Sequence, residues 1–121
     1  MILATAHVGS RVTCNPPPTD TDDDWLYFVT DITEFVNEAL ADGFYIDGSL
    51  MGGEVNLSQL PGGLFVSLKK RQDVRNLIVT SDHTFYERFL AATHVCRRLN
   101  LQDKTDRIAL FQAVLYGERY D

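Results

Sequence analysis

His7-Val8-Gly9-Ser10 and Thr21-Asp22-Asp23-Asp24-Trp25-Leu26-Tyr27-Phe28 flank a loop that holds Pro16-Pro17-Pro18. An apolar run from Ile2 to Val8 feeds the Gly-Ser turn. The loop then delivers Asp20, Asp22, Asp23 and Asp24 to the mouth of a second apolar run, Trp25 to Val29. Alternate side chains of a strand share a face, so Asp22 and Asp24 point the same way if extended, with Asp23 opposite. Their Cα atoms would then lie roughly 6–7 Å apart. Two carboxylates so placed can converge on a divalent cation, which wants oxygen ligands. Gly9, with no Cβ, lets backbone N–H groups approach a phosphate, Ser10 adds a hydroxyl, and Arg11 adds charge-assisted hydrogen bonds. Taken singly, the acids read as a solvated loop and Gly-Ser as a plain turn. Together they read as a phosphate cradle beside a metal-binding acid pair, an arrangement suited to nucleotide chemistry.

The order of an apolar strand, Gly9-Ser10, a loop, and Thr21-Asp22-Asp23-Asp24 opening an apolar strand resembles the signature of the DNA polymerase beta-type nucleotidyltransferase superfamily in minimal form. Asn76-Leu77-Ile78-Val79-Thr80, Ala91-Ala92-Thr93-His94-Val95-Cys96 and Asp106-Arg107-Ile108-Ala109-Leu110-Phe111 look like segments of small nucleotidyltransferase-like proteins of tailed phages. The resemblance implies Mg²⁺ (or Mn²⁺) on Asp22 and Asp24, with a nucleoside triphosphate (NTP) held by Gly9, Ser10 and Arg11. Active members carry a further acid on a later central strand. The matching strand here is Val74 to Thr80, and Asn76 stands at the expected place. Asn offers a neutral oxygen but cannot act as a base. Asp73 has the wrong position, so either catalysis runs with Asp22, Asp24 and Asn76, or another acid such as Glu54 substitutes, or the protein is catalytically inactive. The helix that commonly precedes the first strand is expected to be missing.

At 121 residues, 45% apolar and 23% charged, the chain reads as a single domain spanning 1–121, with an ordinary globular composition. No apolar run reaches the length of a membrane span and the N-terminus is not of signal-peptide type, so a cytoplasmic protein without a membrane partner is expected. If phage-encoded, its place is the host cytoplasm. A net charge of −6 argues against general nucleic-acid binding, which needs a basic face. Cys14 and Cys96 have no metal-type spacing and read as reduced thiols.

Met1 to Val8 reads as a strand buried on both faces, and residues 9–24 as a loop stiffened by its prolines. Trp25 to Thr30 is the next strand. Asp31 and Glu34 make a capping-box pattern for a helix ending at Gly43. Phe44 to Ile46 is a short strand, Asp47-Gly48 a turn, and Ser49 to Gly63 has no clear assignment. Leu64 to Lys70 and Val74 to Thr80 read as antiparallel strands. Asp82 caps a helix to Leu99, and Asp103 starts a last helix whose apolar residues lie nearly all round. The fold class is α+β, a small mixed or antiparallel sheet with helices packed on one side.

Lys69-Lys70-Arg71 with Arg75 read as a charged hairpin end, or as a contact for phosphates. His7 reads as a hydrogen-bonded core residue. His83 and His94 lack ligand-spaced partners, and Arg97, Arg98 and Arg107 read as helix-face charges. The expected function is Mg-dependent transfer of a nucleotidyl group from an NTP to a hydroxyl acceptor that these residues do not specify. The alternatives are a catalytically inactive nucleotide- or protein-binding phage accessory or counter-defence factor of the same fold, directed at a host protein, and an acidic mimic of nucleic acid.

Overall fold

The structure, a computed structural model, describes residues 1–19, 21–47 and 65–116. Strands β1 (Ile2–Val8), β2 (Asp23–Val29), β3 (Phe44–Ile46), β4 (Phe65–Lys70) and β5 (Arg75–Thr80) form one mixed sheet in the order β1-β2-β5-β4-β3. The helices are α1 (Ser10–Thr13), α2 (Ile32–Ala41), α3 (His83–Leu99) and α4 (Lys104–Tyr116). The domain is α+β. Among the described strands only β2 and β5 pair in parallel, with Asp24 opposite Asn76; the other three described pairs are antiparallel. The turn at 47–48, the unassigned stretch 49–63, Asp20 and Glu54 lie wholly or partly outside the described residues.

Consecutive apolar residues in β4 and β5 give the sheet two faces to cover. Leu26, Phe65 and Ile78 meet Phe85, Tyr86 and Phe89 of α3 and Leu115 of α4 on one face. Val66, Leu68, Leu77 and Val79 meet Val36 and Ala39 of α2 on the other. Helices therefore lie on both sides of the sheet, where the sequence suggested one. β1 also departs from expectation. As an edge strand it buries Val8 but leaves Ile2 and Leu3 exposed, and among the described residues no further strand pairs with its outer edge.

Capping follows the sequence closely. Asp31 Oδ1 accepts from Glu34 N at 3.2 Å, and Asp82 Oδ1 accepts from Phe85 N at 2.8 Å. Asp103 Oδ1 accepts from Thr105 N and Asp106 N at 2.7 and 3.2 Å. These bonds satisfy donors that a helix start leaves without partners. Asn100, left-handed at φ 49°, ends α3 and exchanges two hydrogen bonds with the Asn15 backbone, which ties the proline loop to the helix.

Leu68 is fully buried. Leu68→Ala is expected to destabilise the protein by about 2–5 kcal/mol, and Asp82→Ala by about 1 kcal/mol. Urea unfolding of both variants checks this, and a reversed ranking would contradict the described core.

Candidate functional site

The site is built where β1 ends. Gly9 takes φ +81°, a region that favours glycine, and its carbonyl accepts from the Val12 and Thr13 amides to start α1. The stretch read as all loop thus begins with a helical turn. A Cβ on Gly9 would sit 2.0 Å from Asp24 Oδ2. Glycine here is required twice, by its backbone and by the carboxylate packed against it. Ser10 and Thr21 share a hydroxyl hydrogen bond of 2.5 Å, which closes the loop back on the turn.

Asp24 lies on the face covered by α3 and α4. Its register neighbour Asn76, buried at 5% exposure, donates Nδ2 to Asp24 Oδ1 at 3.1 Å. Ser67 Oγ in turn donates to Asn76 Oδ1 at 2.8 Å. A polar chain therefore crosses β4, β5 and β2 with every member bonded. The strand expected to carry the third acid is adjacent to Asp24, and its residue is an amide.

Asp22 precedes β2 rather than extending it, yet it lines the same cleft as Asp24. Asp23 turns to the other face, where Trp25 Nε1 donates to it and His7 Nε2 lies 2.7 Å from its carboxylate. His7 stacks on Trp25 and its side chain is 39% exposed, so it is hydrogen-bonded but not a core residue. Burial alone would raise the Asp23 pKa, but the bonds from Trp25 and His7 hold it below the usual value.

The basic cluster is divided by strand alternation. Lys69 enters the cleft, with Nζ 2.8 Å from Asp22 Oδ2 and 3.5 Å from Asp47 Oδ2, and its hydrogen bond to Asp22 raises its pKa. Lys70 and Arg75 instead stand over the Phe44 ring on the opposite face. Asp73 is taken up by Arg75, whose hydrogen bonds hold its carboxyl down at about 2. Sequence reading kept Lys69 with Lys70, Arg71 and Arg75 as one hairpin-end or phosphate-contacting group and missed its separate place in the cleft. Its signal was its alternation with Ser67 and Phe65, visible only once β4 is placed beside β5.

The cleft holds about 730 Å³, within the range of small-molecule sites. Gly9, Ser10, Thr21, Asp22, Asp24 and Asn76 form one end, and Phe89, Ile108 and Phe111 give an apolar wall. Gln102, Lys104 and Arg107 also line the cleft. Arg107 is more than a helix-face charge: Nη1 donates to Gln102 O, Leu101 O and Cys14 Sγ at 2.6, 3.1 and 3.2 Å. Arg11 is not among the lining residues, and its guanidinium braces the loop through Thr21 O at 3.0 Å. Cys14 and Cys96 are both buried free thiols. Among the described residues no group of three or more His, Cys, Asp or Glu could hold a metal, and no helix is long and apolar enough to cross a membrane. Asp22 and Asp24 remain a hard-oxygen pair of the kind Mg²⁺ uses when substrate phosphates and water complete its shell.

No family model matches the chain, and no curated protein matches it in sequence. A solved structure of conserved protein GrpB from Enterococcus faecalis is similar to it, with a TM-score of 0.56 over 99% of this chain and 84% of that one. At 16% identity the likeness is one of fold. The class supported is a small α+β domain with a mixed sheet.

Burial raises the Asp24 pKa from 3.8 to about 6; the Asn76 hydrogen bond opposes the shift and the Asp22 charge adds to it. Protonated Asp24 therefore favours folding. That contribution is complete below about pH 4 and is lost as pH rises through about 6, at a cost on the order of 2–3 kcal/mol. Asp24→Asn should be more stable than wild type at pH 8 by about 1–3 kcal/mol, with the advantage fading toward pH 4. Urea melts across that range test it; an Asn variant weaker at every pH would show that the carboxylate is a net structural bond.

Proposed function

We propose that the cleft binds a nucleoside triphosphate together with Mg²⁺ (or Mn²⁺), and that the protein transfers a nucleotidyl group to a hydroxyl acceptor. One observation carries the reading: Asp24, a part-buried carboxyl whose ionisation opposes folding, is packed against Gly9 and shares its cleft with Asp22. A cation that replaces the proton accounts for a group that is otherwise a burden. Asp22 and Asp24 would hold the ion, and when bound it would orient and neutralise phosphoryl oxygens. Ser10 offers its hydroxyl beside them. The Phe89, Ile108 and Phe111 wall suits a nucleobase, and Lys104 and Gln102 supply polar contacts across the cleft. A cytoplasmic setting, the host cytoplasm for a phage-encoded protein, goes with this chemistry.

A second reading is favoured by Asn76. Its amide is bonded to Asp24 and Ser67, so the central strand supplies no base to deprotonate an acceptor. In that reading the chain is a nucleotide- or protein-binding accessory factor, directed at a host protein, without turnover.

Calorimetric titration of ATP, GTP, CTP and UTP with Mg²⁺ into wild type and Asp22→Ala/Asp24→Ala tests the first reading. Metal-dependent binding is expected in wild type, weakened at least about 10-fold in the variant, with affinity rising with pH through about 6 as Asp24 gives up its proton. No binding of any nucleotide by wild type would reject it. Release of pyrophosphate from labelled NTP then separates transfer from binding alone.

A further inference from the structure

Lys69 is the cation already present among the acids of the cleft. Its side chain is 29% exposed, and its Nζ lies 2.8 Å from Asp22 and 3.5 Å from Asp47. Register places it beside Asn76, the direct neighbour of Asp24, and its charge counts among those that lower the Asp24 pKa. Asp22 cannot give the same oxygens fully to an ammonium and to a divalent ion. A divalent ion arriving at Asp22 and Asp24 also brings two positive charges toward Lys69, and like charges at such range repel. Yet Lys69 lines the same cleft as Ser10 and Lys104, so a triphosphate held there gives its ammonium another anionic partner.

We propose that Lys69 is an exchangeable counter-ion: it neutralises Asp22 in the empty cleft and moves to the triphosphate when metal takes the acid pair. This rests on the nucleotide–metal reading of the cleft and assigns to one residue the order in which its ligands become compatible. Metal alone must compete with the lysine, whereas metal with nucleotide does not, because the phosphates receive the displaced charge. The cleft therefore favours the metal–nucleotide complex over either component.

The signature is a pair of effects of opposite sign. In Lys69→Gln, Mn²⁺ without nucleotide should bind about fivefold or more tighter than in wild type, since its competitor is gone. With Mn²⁺ saturating, the NTP that wild type prefers should bind about fivefold or more weaker, since a phosphate partner is gone. Lys69→Arg keeps the charge and should stay near wild type in both. Free Mn²⁺ is read by electron paramagnetic resonance on the full chain, with circular dichroism confirming the fold; Lys69→Met replaces the Gln variant if that one is unfolded. Unchanged or weaker Mn²⁺ binding in Lys69→Gln overturns the exchange while leaving the acid-pair reading intact. Tighter Mn²⁺ with unchanged NTP affinity also overturns it, because a lysine that only blocks the acids never reaches phosphate. Mn²⁺ binding that survives Asp22→Asn/Asp24→Asn, or is absent from every variant, removes the metal reading and the exchange with it.

Discussion

The contact on which the rest of this structure depends is the Asp24 carboxylate pressed against Gly9 and held by the Asn76 amide. Its two sides come from strands that pair in parallel, β2 and β5, and from the turn that leaves β1. Each partner constrains a different part of the chain. Gly9 must be glycine, β5 must run alongside β2 in the register that puts position 76 opposite 24, and Ser67 of β4 must hold the amide in place. The polar chain Ser67–Asn76–Asp24 is buried enough to be costly if broken and fully bonded enough to be tolerated.

Around that contact the charges are arranged to be half neutralised. Asp22 is paired with Lys69, while burial makes Asp24 keep a proton more readily despite the Asn76 amide. Ionised Asp24 therefore costs some stability near neutral pH. The opposite face shows the contrast: Asp23, with donors from both His7 and Trp25, is held ionised and is structural. Neighbouring aspartates in one short run acquire different chemistry from strand alternation and from what each face has to offer.

Much was legible before any fold was drawn. Asp31, Asp82 and Asp103 announce helix starts because a short acceptor side chain followed by an apolar stripe has few other uses. The Gly9-Ser10 and Asp22-Asp23-Asp24 motifs identified the cleft's end, and Asn76 was located on the correct strand. Other readings failed for physical reasons. Ile2–Val8 has the composition of a central strand but lies at an edge, since nothing in a strand's own residues states how many neighbours it will have. Arg11 read as a phosphate contact and Arg107 as a helix-face charge, and each donates to backbone carbonyls brought near by the closed loop and the α3–α4 turn. The division of Lys69 from Lys70 follows from alternation, but which one faces the cleft depended on which face α2 would cover.

By itself the sequence determined most of the strands, the three longer helices and the acids that cap them, because those depend on local hydrogen bonding, backbone freedom and periodicity. Tertiary structure alone decided that Asp24 would be part-buried against Gly9, that its neighbour would be an amide, and that a lysine would stand among the acids. Those are consequences of strand order and register. A pKa or an ion pair is set by what long-range folding brings within a few ångströms, and no local pattern in the chain encodes that distance.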